Sequence, residues 1–150
     1  MNLPDDDQQG DRLRRAPADR FTGKAHAFDL AGLLARLRAE EHPSKNGHRQ
    51  ITIFHRVPVA HVLFAFEPGG KLDRHQAHGE VTIHVLEGRL LVEADGRDYD
   101  LRAGHVLFLG AGVPHDVRAS ESSAMLLTVL MSRSGPPEAK ASSSEATDVA

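Results

Sequence analysis

From Gln50 onward the chain is interrupted every few residues by turn formers, and this spacing restricts the fold more than any other feature. The punctuation falls at Pro58, Pro68-Gly69-Gly70, Glu87-Gly88, Asp95-Gly96, Ala103-Gly104 and Gly112-Val113-Pro114. The runs between these positions are short, and many are rich in Val, Ile, Leu and Phe, as strands bounded by turn residues are. They predict strands over Gln50–His55, Ala60–Phe66, Val81–Leu86, Arg89–Ala94, Arg97–Leu101, Val106–Leu109, His115–Ala119 and Ala124–Met131. Val81, Ile83 and Val85 alternate with Thr82 and His84, the period of a half-buried strand. Asp95-Gly96 suits a type I′ hairpin, whose two central residues both need positive φ. Short strands in even succession build a sandwich or barrel, not a parallel sheet with crossover helices. The fold class is all-β.

One segment has the other period. Leu30, Leu33, Leu34 and Leu37 recur at helical spacing, Asp29 stands where an N-cap belongs, and His42-Pro43 bars continuation. A helix is therefore expected from Asp29 to Glu41. Its leucine stripe needs cover, most simply the outer face of a sheet; the other reading is a contact between two copies. Residues 1–24 are polar with no apolar period, and residues 134–150 are rich in Pro, Ser and Ala. Both read as loosely packed or disordered tails, leaving residues 25–133 as a single domain.

Composition removes several classes of function. The chain has 150 residues, enough for one domain, and every apolar stretch is broken well short of a membrane span. The first residues are acidic with no apolar core, so no signal peptide is expected. A formal charge of -3 gives no general attraction for nucleic acid or anionic lipid. Cysteine is absent, which excludes thiolate chemistry and disulfides and fits a cytoplasmic location. No phosphate-binding loop, nucleophile elbow or helical zinc motif is present.

Two stretches carry a family resemblance. Gly69 to Gly88 contains His75, His78, Glu80 and His84 and ends in Val85-Leu86-Glu87-Gly88. It resembles the first cupin motif, in which a glycine, two histidines, an acid and a closing glycine follow at set intervals. Gly104 to His115, with Gly112 and Pro114, resembles the second motif, although Gly110 replaces its proline and Ala119 its asparagine. The resemblance implies a cupin double-stranded β-helix, or jelly-roll barrel, with one N-terminal amphipathic helix. It also implies a single divalent metal (Fe, Mn, Ni, Cu or Zn) in the barrel mouth, and pairing into a homodimer. The helix and the edge strand Gln50–His55 are natural contributors to that dimer.

The sequence departs from the family at the metal ligands. Counting back from Gly88, the first histidine falls on His75, the second position on Ala77 and the acid on Val81. Only His75 and His115 keep strict register. His78, Glu80 and His84 are the nearby substitutes, and a bulge where the strand begins would turn His78 or Glu80 inward. A regular strand with Val81 inward sends His84 outward with Glu80 and Thr82. The remaining histidines, including His26, His42, His48, His55 and His61, need no function, and His105 reads as a turn residue. Val81, Ile83, Val85 and Phe108 are the expected apolar pocket walls. Two functions follow. One is a small-molecule-binding cupin with a metal seat at His75 and His115. The alternative is a metal-dependent enzyme of dioxygenase or isomerase type acting on a small organic substrate.

Overall fold

The computed structural model of the protein describes residues 23–131. The tails read from the sequence lie outside these residues, apart from Gly23 and Lys24. Among the described residues one helix, α1 (Leu30–Ala39), precedes nine strands. These are β1 (His48–Arg56), β2 (Val59–Phe66), β3 (Lys71–His75), β4 (Glu80–Glu87), β5 (Arg89–Ala94), β6 (Arg97–Arg102), β7 (Val106–Leu109), β8 (His115–Ala119) and β9 (Ser123–Leu130). They form a five-stranded sheet, in order β1-β2-β9-β4-β7, and a four-stranded sheet, in order β3-β8-β5-β6. Every pairing is antiparallel. The architecture is a jelly-roll β fold.

The alternation in β4 builds the core. Val81, Ile83 and Val85 point between the sheets and meet Phe64 and Phe66 of β2, Met125 of β9, Leu90 and Val92 of β5 and Val117 of β8. The pairings Val81↔Leu109 and Ile83↔Leu107 carry the same inward row onto β7, and Thr82↔Phe108 and His84↔Val106 carry the outward row. Phe108 is therefore 59% exposed. This corrects its expected place on a pocket wall: the inward residue is Leu109, one position along, because successive strand residues face opposite ways.

α1 begins at Asp29, whose carboxylate accepts from Gly32 N, and stops at Ala39, before the expected limit. Leu33, Leu34 and Leu37 are buried against Ile51, Ile53, Leu63, Ala65 and Ala124 on the outer face of the larger sheet. Each such side chain contributes about 1.5–3 kcal/mol by leaving water. The sheet, and not a second copy, covers the stripe. Asp95 and Gly96 both have positive φ (51° and 72°), as the hairpin reading requires. His105 Nδ1 accepts from Arg102 N at 3.0 Å and so serves the turn.

Strand β3 has no counterpart among the strands expected from the sequence. In Lys71-Leu-Asp-Arg-His75 only Leu72 is partly buried, so the segment has no apolar alternation to read. Its place is set by backbone bonds to β8 and by a tight crossing at its start. Lys71 N donates to Asn46 O at 3.0 Å and Glu67 N to Gly47 O at 2.8 Å. A Cβ on Gly47 would lie 2.7 Å from Gly70 Cα, so this crossing of two chain segments demands glycine.

Candidate functional site

His75 ends β3, His115 begins β8, and the antiparallel register sets them directly opposite. Their imidazole centroids are 4.3 Å apart, with the ring planes inclined at 59°. His115 is buried and His75 is exposed. Each ring is held by a local backbone carbonyl. His75 Nδ1 donates to Asp73 O at 2.8 Å, and His115 Nδ1 donates to Val113 O at 3.0 Å. A carbonyl only accepts, so Nδ1 carries the proton in each neutral ring and Nε2 keeps its lone pair. A histidine oriented this way is prepared to act as a ligand. Burial pushes the His115 pKa below the ordinary histidine value. The Val113 carbonyl opposes that shift, while the neighbouring His75 reinforces it.

The other expected ligands stand elsewhere. Glu80 and His84 lie on the outward row of β4 with Thr82, opposite Leu130 and Leu126 of β9. His78 is exposed in the loop before β4. A register shift does interrupt β3 against β8, between Leu72 and His75, but it gathers no third ligand. No group of three or more His, Asp or Glu side chains among the described residues is placed to hold a metal ion. The expected shell of His75, His115, His78, Glu80 and His84 thus reduces to two imidazoles.

The expected pocket walls Val81, Ile83 and Val85 are filled core, each at most 2% exposed. Open space lies instead between the edge strands β1 and β3, beneath the segment that follows α1. This cavity has a volume of about 710 Å³ and runs from Lys45, His48 and Arg49 past Gln50, Phe64 and Leu72 to His75. His48 is buried, and its Nδ1 donates to Lys71 O at 2.9 Å, tying the two edges together. A second cavity of about 190 Å³ shares Ser44, His48 and Arg49 with the first. Sequence reasoning does not single out His48 or Arg49 as site residues. The one available signal is the polar, basic run Ser44 to Arg49 between the helix and the first strand.

Residues 62–131 match the family described as the Cupin domain. That match spans just under half of the chain and supports membership of the cupin superfamily. Among solved structures it is similar to a conserved protein of unknown function from Streptococcus pyogenes, at 22% identity and a TM-score of 0.60, over 75% of this chain and 92% of that one. A cupin superfamily protein from Desulfitobacterium hafniense gives 21% identity and a TM-score of 0.56, over 61% and 84% of the two chains. A predicted oxalate decarboxylase from Thermotoga maritima gives 18% and 0.53, over 57% and 81%. At these identities the likeness is one of fold. No curated protein sequence matches the chain. No helix among the described residues is long and apolar enough to cross a membrane.

Cupins often bind a metal, and the donor set here meets that role only in part. The two adjacent imidazoles keep both Nε2 lone pairs, but open metal centres are usually built on three protein ligands. The residues present do not make a full shell.

Proposed function

We propose that the protein is a small-molecule-binding cupin whose ligand occupies the cavity between β1 and β3 and reaches His75 at its far end. The observation that carries this reading is the cavity itself, about 710 Å³, a volume typical of sites for small organic ligands. His75 forms a polar end to it, and together with the adjacent His115 it offers a weak seat for a divalent ion. The absence of cysteine favours a reducing, cytoplasmic setting. Pairing into a homodimer belongs to the same proposal, through the exposed apolar side chains Val106, Phe108 and Leu130 on the outer face of the larger sheet.

The test is a fragment screen by ligand-observed NMR, comparing wild type with Gln50→Trp. Gln50 is exposed on the cavity wall and has no place in the core, so the indole fills the space without disturbing the fold. Fragments that bind wild type and lose binding in the variant support the reading. A screen with no cavity-dependent binder overturns it.

A second reading, a metal-dependent cupin enzyme of dioxygenase or isomerase type, is favoured by the two Nδ1 bonds that leave both Nε2 atoms free. It requires near-stoichiometric Fe, Mn, Ni, Cu or Zn in protein purified without a tag or chelator. That metal must be lost in the His75→Ala/His115→Ala double variant.

A further inference from the structure

We propose that His48 Nε2 is the hydrogen-bond acceptor that fixes the ligand, and that the cavity selects neutral hydroxyl compounds with an apolar body, phenols above all. This inference rests on the cavity-binding reading above and names its ligand class. The register pairs His48 with Phe66 and Gln50 with Phe64, whose rings belong to the core between the sheets. The His48 ring lies 6.0 Å from that of Phe64 and 5.9 Å from that of Phe66, centroid to centroid. His48 and Gln50 therefore share the inner face of β1, while Arg49 between them turns the other way. His48 lines both cavities. Its Nδ1 is taken by Lys71 O at 2.9 Å, so the proton of the neutral ring sits there and Nε2 keeps its lone pair. No described group pairs with Nε2, and it is not sealed from the surface as Arg49 Nη1 is. It therefore opens onto the space that the residue lines, an acceptor without a donor.

The charges around the opening are matched to one another. Glu40 Oε2 stands 3.1 Å from His42 Nε2, Asp73 Oδ1 3.4 Å from Lys71 Nζ, and Arg74 Nη1 3.4 Å from Glu93 Oε1. Lys45 is exposed at the rim. On the wall itself His48 and Phe64 are buried and Leu72 is half-buried, and with His48 neutral none of them is charged. An ion drawn against these groups would lose water with no counter-charge in its place, whereas a molecule with an apolar body loses little. His75, a second imidazole on the wall, is prepared in the same way, its Nδ1 donating to Asp73 O at 2.8 Å. Both rings thus call for a donor. A hydroxyl group supplies one; an ether, a ketone and a carboxylate offer only acceptors. The complementary molecule is uncharged, with an aromatic or aliphatic body against Phe64 and Leu72 and its O–H directed at His48.

The experiment uses the full chain treated with EDTA, so the answer does not depend on any metal. Phenol and anisole, in which a methyl group replaces the hydroxyl proton, are titrated at mildly alkaline pH and followed in long-range ¹H–¹⁵N spectra of the imidazoles. The expected result is phenol binding about five-fold more tightly than anisole, the difference one neutral hydrogen bond makes. The His48 Nε2 resonance moves with phenol and not with anisole. His48→Asn keeps an amide donor for Lys71 O but has no atom at the Nε2 position, and it removes the preference. His48→Gln carries its amide out to that position and retains the preference, although the bond to Lys71 O is lost. A residue that only ties the two edges together gives no such split. The wild-type Nε2 resonance decides the matter even where a variant does not fold. Equal binding of phenol and anisole, a preference that survives His48→Asn, or a neutral His48 ring protonated at Nε2 overturns the hydroxyl assignment and leaves the binding reading in place. Benzoate that binds more tightly than phenol overturns the choice of a neutral ligand. Failure of phenol while other cavity-dependent fragments bind overturns the assignment as well, and failure of every fragment sinks both readings.

Discussion

At the scale of single residues, the best-determined chemistry sits at two buried side chains. His115 is 2% exposed and held neutral, its pKa pushed down chiefly by burial. The unfolded chain takes up a proton near the ordinary value of 6.5, whereas the folded protein does so only at lower pH. The unfolded state therefore binds more protons in that window, and stability falls as pH drops through it. In EDTA-containing buffer, urea midpoints should decline from pH 7 to pH 5, with a slope of at most about 1.4 kcal/mol per pH unit from this one group. His61, also shifted down by burial, adds to the slope with the same sign. His115→Asn should flatten the dependence; an unchanged slope would mean that other groups carry it. Ser123 is fully buried, and its Oγ accepts from Arg89 N at 3.0 Å while donating to Glu121 O at 2.7 Å. It closes the turn at Gly88, where φ is +77° and an added Cβ would strike Ser122 O and Ser123 Oγ. Ser123→Ala leaves the Arg89 amide unpaired and should cost about 1–3 kcal/mol in denaturant unfolding. A loss below a few tenths would show that water replaces the hydroxyl.

At the scale of elements, α1 does more than cover a sheet. The segment leaving its C-terminal end forms the roof of the cavity, so the leucine stripe fixes both the helix and the site boundary. Leu37→Ala should destabilise by about 2–5 kcal/mol, the range for emptying a buried leucine site. Chemical denaturation measures that loss. The stripe is legible in the sequence because leucines three and four apart share one face of a helix and fall on both faces of a strand. The strands with clean alternation are legible for the same reason, β4 and the Asp95-Gly96 hairpin above all. β3 is not, because a strand with a single half-buried residue has no pattern, and backbone pairing alone holds it. That gap matters for the site, since His75 stands on β3. Phe108 faces the opposite way from its expected one because β7 has four residues, too few for its period to reveal which side is in. His48 carries no signal in the sequence because a lone histidine on a strand is ordinarily a surface or hydrogen-bonded residue. Only the packed fold ties its Nδ1 to Lys71 O and sets its ring on the cavity wall.

At the scale of the whole molecule, the two sheets end differently. The smaller sheet opens at β3 onto the cavity, and the larger sheet ends at β7, which pairs on one side only, with β4. β7 places Val106 and Phe108 outward, each 59% exposed, and Leu130 of β9 lies on the same face. His84 and Glu80, which the sequence suggests as metal ligands, flank these residues on the outward row of β4. They are placed to border an apolar contact, not to hold an ion. An edge strand with an apolar outer row invites pairing with a second copy. A stable contact of this kind covers about 800 Å² on each partner and concentrates its energy in a few aromatic side chains. Phe108→Ser should therefore weaken self-association by about 2 kcal/mol, or roughly thirty-fold in Kd, when light scattering follows the mass across a dilution series. The monomer's own unfolding should stay unchanged at low concentration, because Phe108 is absent from the core cluster. A wild type that remains monomeric at every concentration would remove the pairing proposal and leave the exposed row without a partner, while the cavity reading, on the opposite edges, would stand untouched.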